Sequence, residues 1–390
     1  KPVTALSKGG FLGVGVQTYG GGLWHTWFDR DLSVAGKVVI RRSASGGCLS
    51  QELVRIDRPI LRIPTLAIHL DRNVNTEGFK FNTETHLAPI LSTAIKGDLE
   101  IEVAQKKVGN EAGQGTENRN DAPVAHHPLL LALLAEQLDC NAHEIIDFDL
   151  QVCDVQPSVI GGAACEFIFS GRLDNLASSF CALKALLEGG KDGSLANENS
   201  IRMIALFDNE EVGSGSTTGA AGSLLADVVR RTLKVLCRGS DQEGLSERSL
   251  RRSFLVSADM AHALHPNYLD KHEGSHAPKL HSGLVVKHNA NQRYATNAVT
   301  ATLFRECAAQ SGIPTQDFVV RNDMGCGSTI GPILSANLGI RTVDVGIPQL
   351  SMHSVRELCG TEDIEICYRH FRAFFENFAT IDAKFADIDS

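Results

Sequence analysis

Residues 166–190 read EFIFSGRLDNLASSFCALKALLEGG. The stretch opens on a short strand pattern, Glu166–Ser170, and then changes period. Leu176, Phe180, Leu183 and Leu187 recur at i, i+4, i+7 and i+11, which is one face of a helix. The alternation continues down the chain. Ile201–Phe207 (IRMIALF) reads as a buried strand, Ser223–Cys237 as a helix and Phe254–Ser257 as a strand. Asn297–Ser311 reads as a helix, Arg341–Val345 as a strand and Asp363–Thr380 as a terminal helix. This predicts an α/β domain over residues 156–390, with a mostly parallel sheet and helices on both faces. The charged stretch Arg238–Arg252 reads as a surface connection.

Residues 1–155 have a different texture, rich in strand signals. Leu32–Arg41 (LSVAGKVVIR) and Ile145–Cys153 (IIDFDLQVC) are the clearest. In the second, Ile146, Phe148, Leu150 and Val152 alternate with Asp147, Asp149, Gln151 and Cys153, a half-buried strand. Pro128–Leu138 is strongly helical, and the polar run Gly109–Pro123 reads as a mobile loop. No internal repeat or low-complexity tract is found.

The 390 residues are 43% apolar and 21% charged, a globular mix with ample core, enough for two or three domains. The longest clean apolar run, Leu129–Ala135, is far short of the ~20 residues that span a bilayer. Lys1–Gly15 lacks a signal-peptide apolar region. A net charge of −9 argues against broad nucleic-acid or anionic-membrane binding. The ten cysteines form no C-x-x-C pair and read as buried free thiols of a reducing compartment. A cytoplasmic protein is expected.

In open α/β sheets, sites form beyond the carboxyl ends of strands. Acids gather at three such ends: Asp174 in GRLDN, Asp208, Glu210 and Glu211 in DNEEVGS, and Asp259 in FLVSAD. Any one of them could be a helix cap or a solvated loop end. Three such ends in one half-chain point to a divalent cation that offsets their repulsion. Glu210 and Glu211 could serve one cavity from two sides. Metal chemistry wants one carboxylate as ligand and another to take and return a water proton. His353, just after the RTVDV strand, is a candidate zinc ligand, though a lone histidine there is more often a hydrogen-bonded core residue.

Residues 272–276 read HEGSH, which fits the H-E-x-x-H zincin pattern. That chemistry needs a helix, and Gly274 and Pro278 oppose one. The expectation is a polar loop.

Seven motifs, in order, resemble the M18 group of di-metal peptidases, the aspartyl aminopeptidases. They are GVQTYGGGLWHTWFDRDLSVAGKV, RPILRIPTLAIHLDR, GRLDN, DNEEVGS, SADMAHALHPNYLDKHE, NQRYATN and PQLSMHSVRE. Together they run through nearly the whole chain. The resemblance implies two divalent metal ions per subunit, zinc by preference. It implies Asp174 as their bridge, Glu211, Asp259 and His353 as further ligands, and Glu210 as general base. It also implies that His262, Lys287 and Tyr294 line the substrate site and that His69 reaches a neighbouring subunit's site. Residues 1–155 become a β-rich oligomerisation domain of a tetrahedral dodecamer. Residues 156–390 become a zinc-peptidase-like catalytic domain. The implied activity is removal of N-terminal Asp, less readily Glu, from peptides, with Lys287 meeting the substrate carboxylate.

One departure stands out. The family's further metal-binding histidine, in an HTD-type motif, should precede the first of these motifs, and no HTD occurs. The expectation is that a piece carrying it precedes Lys1. A zincin endopeptidase using His272, Glu273 and His276, and a non-catalytic scaffold of peptidase ancestry, remain as alternatives.

Overall fold

A computed structural model describes residues 1–42, 46–97, 126–190, 195, 198, 200–237 and 243–385. The chain divides into two compact units, Lys1–Pro157 and Ser158–Ser390. The loop expected over Gly109–Pro123 lies outside the described residues.

In the first unit, Leu32–Arg41 is the central strand of an antiparallel sheet, between Leu49–Arg55 and Ile145–Asp154. Its alternate residues Leu32, Val34, Val38 and Ile40 are buried, as a one-sided sheet requires. Gly36 breaks the series because a Cβ there would collide with the Asp149 carbonyl oxygen. The Pro128–Leu138 helix covers that face through Leu130, Leu134 and Leu138. Its start is capped by His127, whose Nδ1 accepts from the Leu129 N–H at 3.1 Å. A second antiparallel sheet joins Pro2–Lys8, Phe11–Val16 and Ile90–Thr93.

The second unit is α/β, with sheets of mixed direction. One sheet runs Thr315–Val319, Leu284–His288, Arg341–Gly346, Phe254–Ala258. Its outer pairs are parallel and its central pair antiparallel. The other runs Ala261–His262, Pro348–Leu350, Glu357–Gly360, Phe167–Ser170, Val159–Gly161, and only its first pair is parallel. Among the described residues no sheet closes into a barrel. The mostly parallel expectation is therefore corrected to a mixed arrangement. The chain reverses between Pro348–Leu350 and Glu357–Gly360, which forces antiparallel pairing.

Neighbouring residues of the Phe254–Ala258 strand point to opposite faces. Phe254, Val256 and Ala258 pack toward the helices Leu173–Glu188, Ala298–Ala309 and Thr361–Asp382. Leu255 packs with Leu225 and Leu334 of the helices Leu224–Leu236 and Gly331–Leu338. Both faces of this strand are thus covered by helix.

Two local readings are corrected. Ile201–Phe207 joins no strand ladder; Met203 and Phe207 pack on the Leu225 cluster while Ile201 and Leu206 stay exposed. In the Leu173–Glu188 helix, the stripe Leu176, Phe180, Leu183 and Leu187 is exposed. The buried face is Leu173, Ala177, Cys181 and Ala185, and the small side chains of the last three allow close approach to the Thr361–Asp382 helix. All ten cysteines are free; Cys181, Cys307, Cys359 and Cys367 are buried, but Cys48 and Cys165 are exposed. Among the described residues no helix is long and apolar enough to cross a membrane.

His370 gives the core a built-in acid sensitivity. It is fully buried and stacked on Phe304 at 4.0 Å, and its Nε2–H donates to the Phe304 carbonyl at 3.0 Å. Its Nδ1 has no partner, and burial pushes its pKa down to about 4. A histidine lowered on folding binds its proton in the unfolded chain first, so stability falls as pH drops through the unfolded value toward the folded one. From pH 7 to pH 5 the loss from this group should be roughly 1–2 kcal/mol. Calorimetric melting at the two pH values checks this: His370→Phe should lose less than the parent chain, and an equal loss would acquit His370.

Candidate metal centre

The site is built where chain segments leave the second unit's strands. Asp174 follows Phe167–Ser170, Asp259 follows Phe254–Ala258, and His353 follows Pro348–Leu350. Glu210 and Glu211 lie in a single 3-10 turn, Glu210–Val212, bracketed by left-handed backbone at Asn209 (φ 63°) and Gly213 (φ 98°). The Ser214 N–H donates to the Asn209 carbonyl at 2.9 Å, which closes the loop.

Asp174, Glu211 and His353 converge. Their ligand atoms lie within 4.8 Å of one another, close enough to hold one metal ion. His353 Nε2 is 3.4 Å from Asp174 Oδ2 and 3.3 Å from Glu211 Oε2. Two carboxylates and an imidazole are the oxygen and nitrogen donors that suit zinc and similar divalent cations.

The electrostatics record the crowding. Burial works against an ionised Asp174, but hydrogen bonds from His353 and Asp259 hold it below the ordinary aspartate range. Burial, with Asp174 nearby, raises Asp259 to about 7 even though 23% of its side chain meets solvent. Burial, then the charges of Glu211 and Asp174, raises Glu210 to about 7. Burial raises Glu211 as well, against the pull of His353. A divalent cation reverses this logic by favouring every one of these carboxylates in its charged form.

Lys287 is 2% exposed, with its amine 3.3 Å from Asp259 Oδ2, 2.8 Å from the Met260 carbonyl and 5.2 Å from the Tyr294 ring centroid. Burial, and the hydrogen bond to Cys326, push the Tyr294 phenol well up. His262 sits edge-on to Phe318 at 5.7 Å. Its surroundings, then Lys287, push its pKa down to about 4, although part of the side chain stays exposed. His69 belongs to the first unit, exposed on a turn closed by the Leu70 N–H to the Ala67 carbonyl.

The HEGSH segment is a loop, as its glycine and proline require. Glu273 accepts from the Ser275 N–H at 3.0 Å and pairs with His276 at 2.7 Å, while His272 Nε2 accepts from the His265 N–H. These bonds hold a turn together, and the helix needed for a zincin is not formed.

Sequence reasoning missed Glu357. Its Oε1 accepts from the His353 N–H and its Oε2 from the Asp174 N–H, each at 3.0 Å. One buried carboxylate thereby ties two converging segments together, and burial raises its pKa to about 7. The only signal was its place in PQLSMHSVRE, four residues after His353.

Comparison with known proteins gives this geometry a context. The profile of the family described as "Aminopeptidase I zinc metalloprotease (M18)" matches residues 1–375. The chain belongs to the M18 family of zinc aminopeptidases. It is thus a metal-dependent exopeptidase, a hydrolase. It is 58% identical to "Probable aspartyl aminopeptidase" of Ricinus communis over 394 aligned residues, covering 98% of this chain and 79% of that one. Among solved structures, the cryo-EM structure of the Ape4 and Nbr1 complex superposes with a TM-score of 0.88 at 44% identity, covering 100% of this chain and 71% of that one. A structure of the S. cerevisiae mApe1 dodecamer has a TM-score of 0.80 at 28% identity, covering 100% of this M18 chain and 78% of its own.

Glu357 supplies a test of how the centre is positioned. Glu357→Ala frees both the Asp174 and His353 N–H groups and should weaken zinc binding about 10–100-fold, the scale of lost outer support. Glu357→Gln keeps one acceptor oxygen and should lose less. Competition with a chelator measures both, alongside melting curves; parent-like affinity in a folded Glu357→Ala variant would remove Glu357 from the account.

Proposed function

We propose that the protein removes N-terminal Asp, and less readily Glu, from peptides, with two divalent ions, zinc by preference, in each subunit. The observation that carries this reading is the convergence of Asp174, Glu211 and His353 beside Glu210, within a chain 58% identical to a relative named as an aspartyl aminopeptidase. In this reading Asp174, Glu211, Asp259 and His353 are the ligands this chain would supply to the ions, with Asp174 contributing to both. The fit rests on the donor chemistry: four acidic side chains crowd together, with His353 and Lys287 facing them as potential cations. When bound, the metal supplies Lewis acidity and a readily ionised water.

The chain's own residues do the rest. Glu210, not needed as a ligand, holds the water proton on its carboxylate and delivers it to the leaving amine. Lys287, His262 and Tyr294 form the wall on the substrate side. Lys287 supplies positive charge both to Asp259 and to an acidic substrate side chain, a charge-assisted contact that a neutral side chain would not make.

The first unit is read as the oligomerisation domain of a homo-oligomer, a tetrahedral dodecamer. Support is the likeness to the dodecameric S. cerevisiae structure. His69 then serves a neighbouring subunit's site, and the assembly works on peptides in the cytoplasm.

Glu210→Gln is the decisive variant for the chemistry. It removes the proton acceptor and no ligand, so zinc content should stay at parent level while kcat falls by roughly 10²–10⁴-fold. Metal analysis and turnover of an Asp-peptide on the same preparation decide it; near-normal turnover with full metal refutes the assignment.

His69 tests the assembly. His69→Ala should lower turnover and leave metal content unchanged. Mixed oligomers reassembled from His69→Ala and Glu210→Gln subunits should regain part of the activity, because some sites then combine an intact base with a neighbour's intact His69. No recovery in verified mixed oligomers means that His69 does not act across subunits.

A further inference from the structure

Asp344 sits in the middle of an apolar strand, Arg341–Gly346 (RTVDVG), and has no exposed surface. Val343 and Val345 on either side of it pack with the helices, as do Leu284 and Val286 of the neighbouring strand. Successive residues of a strand point to opposite faces, so Asp344 and Lys287 project together from the other face. Packing alone would favour another valine here, because a buried carboxyl is costly unless its oxygens are hydrogen-bonded.

Both oxygens are committed, and both to loops. Oδ2 accepts from the Ala295 N–H and Oδ1 from the Thr329 hydroxyl, each at 2.6 Å. The Asp344 N–H adds a third tie, to Thr296 Oγ1 at 2.9 Å. The Thr329 loop runs on into Gly331, where a Cβ would collide with the same carboxyl. The two loops are also joined to each other. The Arg293 carbonyl accepts from the Ser328 hydroxyl at 3.2 Å and from the Thr329 N–H at 3.4 Å. Both loops meet at Tyr294. It is the residue before Ala295, its phenol hydrogen-bonds Cys326 of the second loop, and the Lys287 amine lies over its ring, 5.2 Å from the centroid.

We infer that Asp344 is a positioning residue of the substrate site, a buried clamp that fixes the Tyr294 ring against the Lys287 amine. The inference rests on the reading of Lys287 and Tyr294 as the substrate-side wall. Asp344 itself touches neither substrate nor metal. It acts through the N–H next to Tyr294 and through the loop that carries Cys326. The contact it protects is directional, since an amine is drawn to the face of an aromatic ring and not to its edge. A small turn of the Tyr294 segment would present the edge and displace the amine. Misplacement of a binding group by about 1 Å costs up to roughly 100-fold in rate.

The test is a double-mutant cycle on the zinc-loaded full chain, read as kcat/KM for an Asp-peptide. Asp344→Val suits the valine-flanked strand and removes both acceptors. It should lower kcat/KM about 10–100-fold. Zinc content should hold, since no ligand is touched. Thr329→Val leaves the sheet intact and removes one bond, so it keeps the test alive should Asp344→Val misfold. Its loss should be about 3–10-fold, and Thr329→Ser should restore the parent value. In a Tyr294→Leu background neither change should cost anything further, because residues that act through one group are not additive. The same fold-loss with and without Tyr294 overturns the inference, as does parent-like kinetics in the folded Asp344→Val or Thr329→Val chain. Parent-like kinetics in Tyr294→Leu alone would strike the wall reading beneath it.

Discussion

Like-charge repulsion is the constraint around which the second unit is organised. Asp174, Glu210, Glu211 and Asp259 occupy one small region, and burial pushes the carboxyls of Glu210, Glu211 and Asp259 above their ordinary range. Folding tolerates this only because the acids sit on segments fixed for other reasons. The Phe254–Ala258 strand is locked between two helical layers, and Asp174 begins a helix whose small-residue face is buried. The repulsion is therefore held in place by packing that makes no use of the acids. That is how a protein concentrates charge it would otherwise disperse.

The backbone near the ligands carries part of the same burden. Arg172, Asn209 and His353 all have left-handed φ, between 59° and 65°, where a side chain is unfavourable. Such residues persist when surrounding bonds over-determine them. At His353 the bond is visible: its N–H is held by Glu357, which also holds Asp174 across a gap of 183 residues. One carboxylate converts two flexible turns into a fixed pair of donors, and its own burial ensures that it cannot easily turn to water instead.

Much of this was legible. The boundaries of Leu32–Arg41 and Pro128–Leu138 followed from strand alternation and from a proline-led apolar run. Acids at strand ends drew attention to Asp174, Asp208, Glu210, Glu211 and Asp259, and two of them, Asp174 and Glu211, converge with His353. The failures have physical causes. The stripe Leu176, Phe180, Leu183 and Leu187 has the period of a buried face, yet the opposite face is buried. Helical period identifies an apolar side, whereas contact distance decides which side packs, and Ala177, Cys181 and Ala185 permit the closer approach. Ile201–Phe207 has strand composition but no ladder, since composition reports what a segment tolerates and pairing depends on what lies beside it.

The residues that escaped the sequence share a property. Glu357 and Gln349 both lie in short strands of one sheet and are almost wholly buried, and Glu357 matters through the two hydrogen bonds its oxygens accept. Hydrophobic period cannot mark them, since they interrupt it, and residue type cannot, since neither has the ligand chemistry of histidine or the look of a paired acid cluster. Their meaning depends on which atoms face them. For Glu357 those are two backbone N–H groups from distant segments; for Gln349, none within the protein. Burial and hydrogen-bond accounting together single them out. A buried polar group is costly unless it is satisfied, and Glu357 meets that cost by holding two backbone N–H groups, one of them 183 residues away.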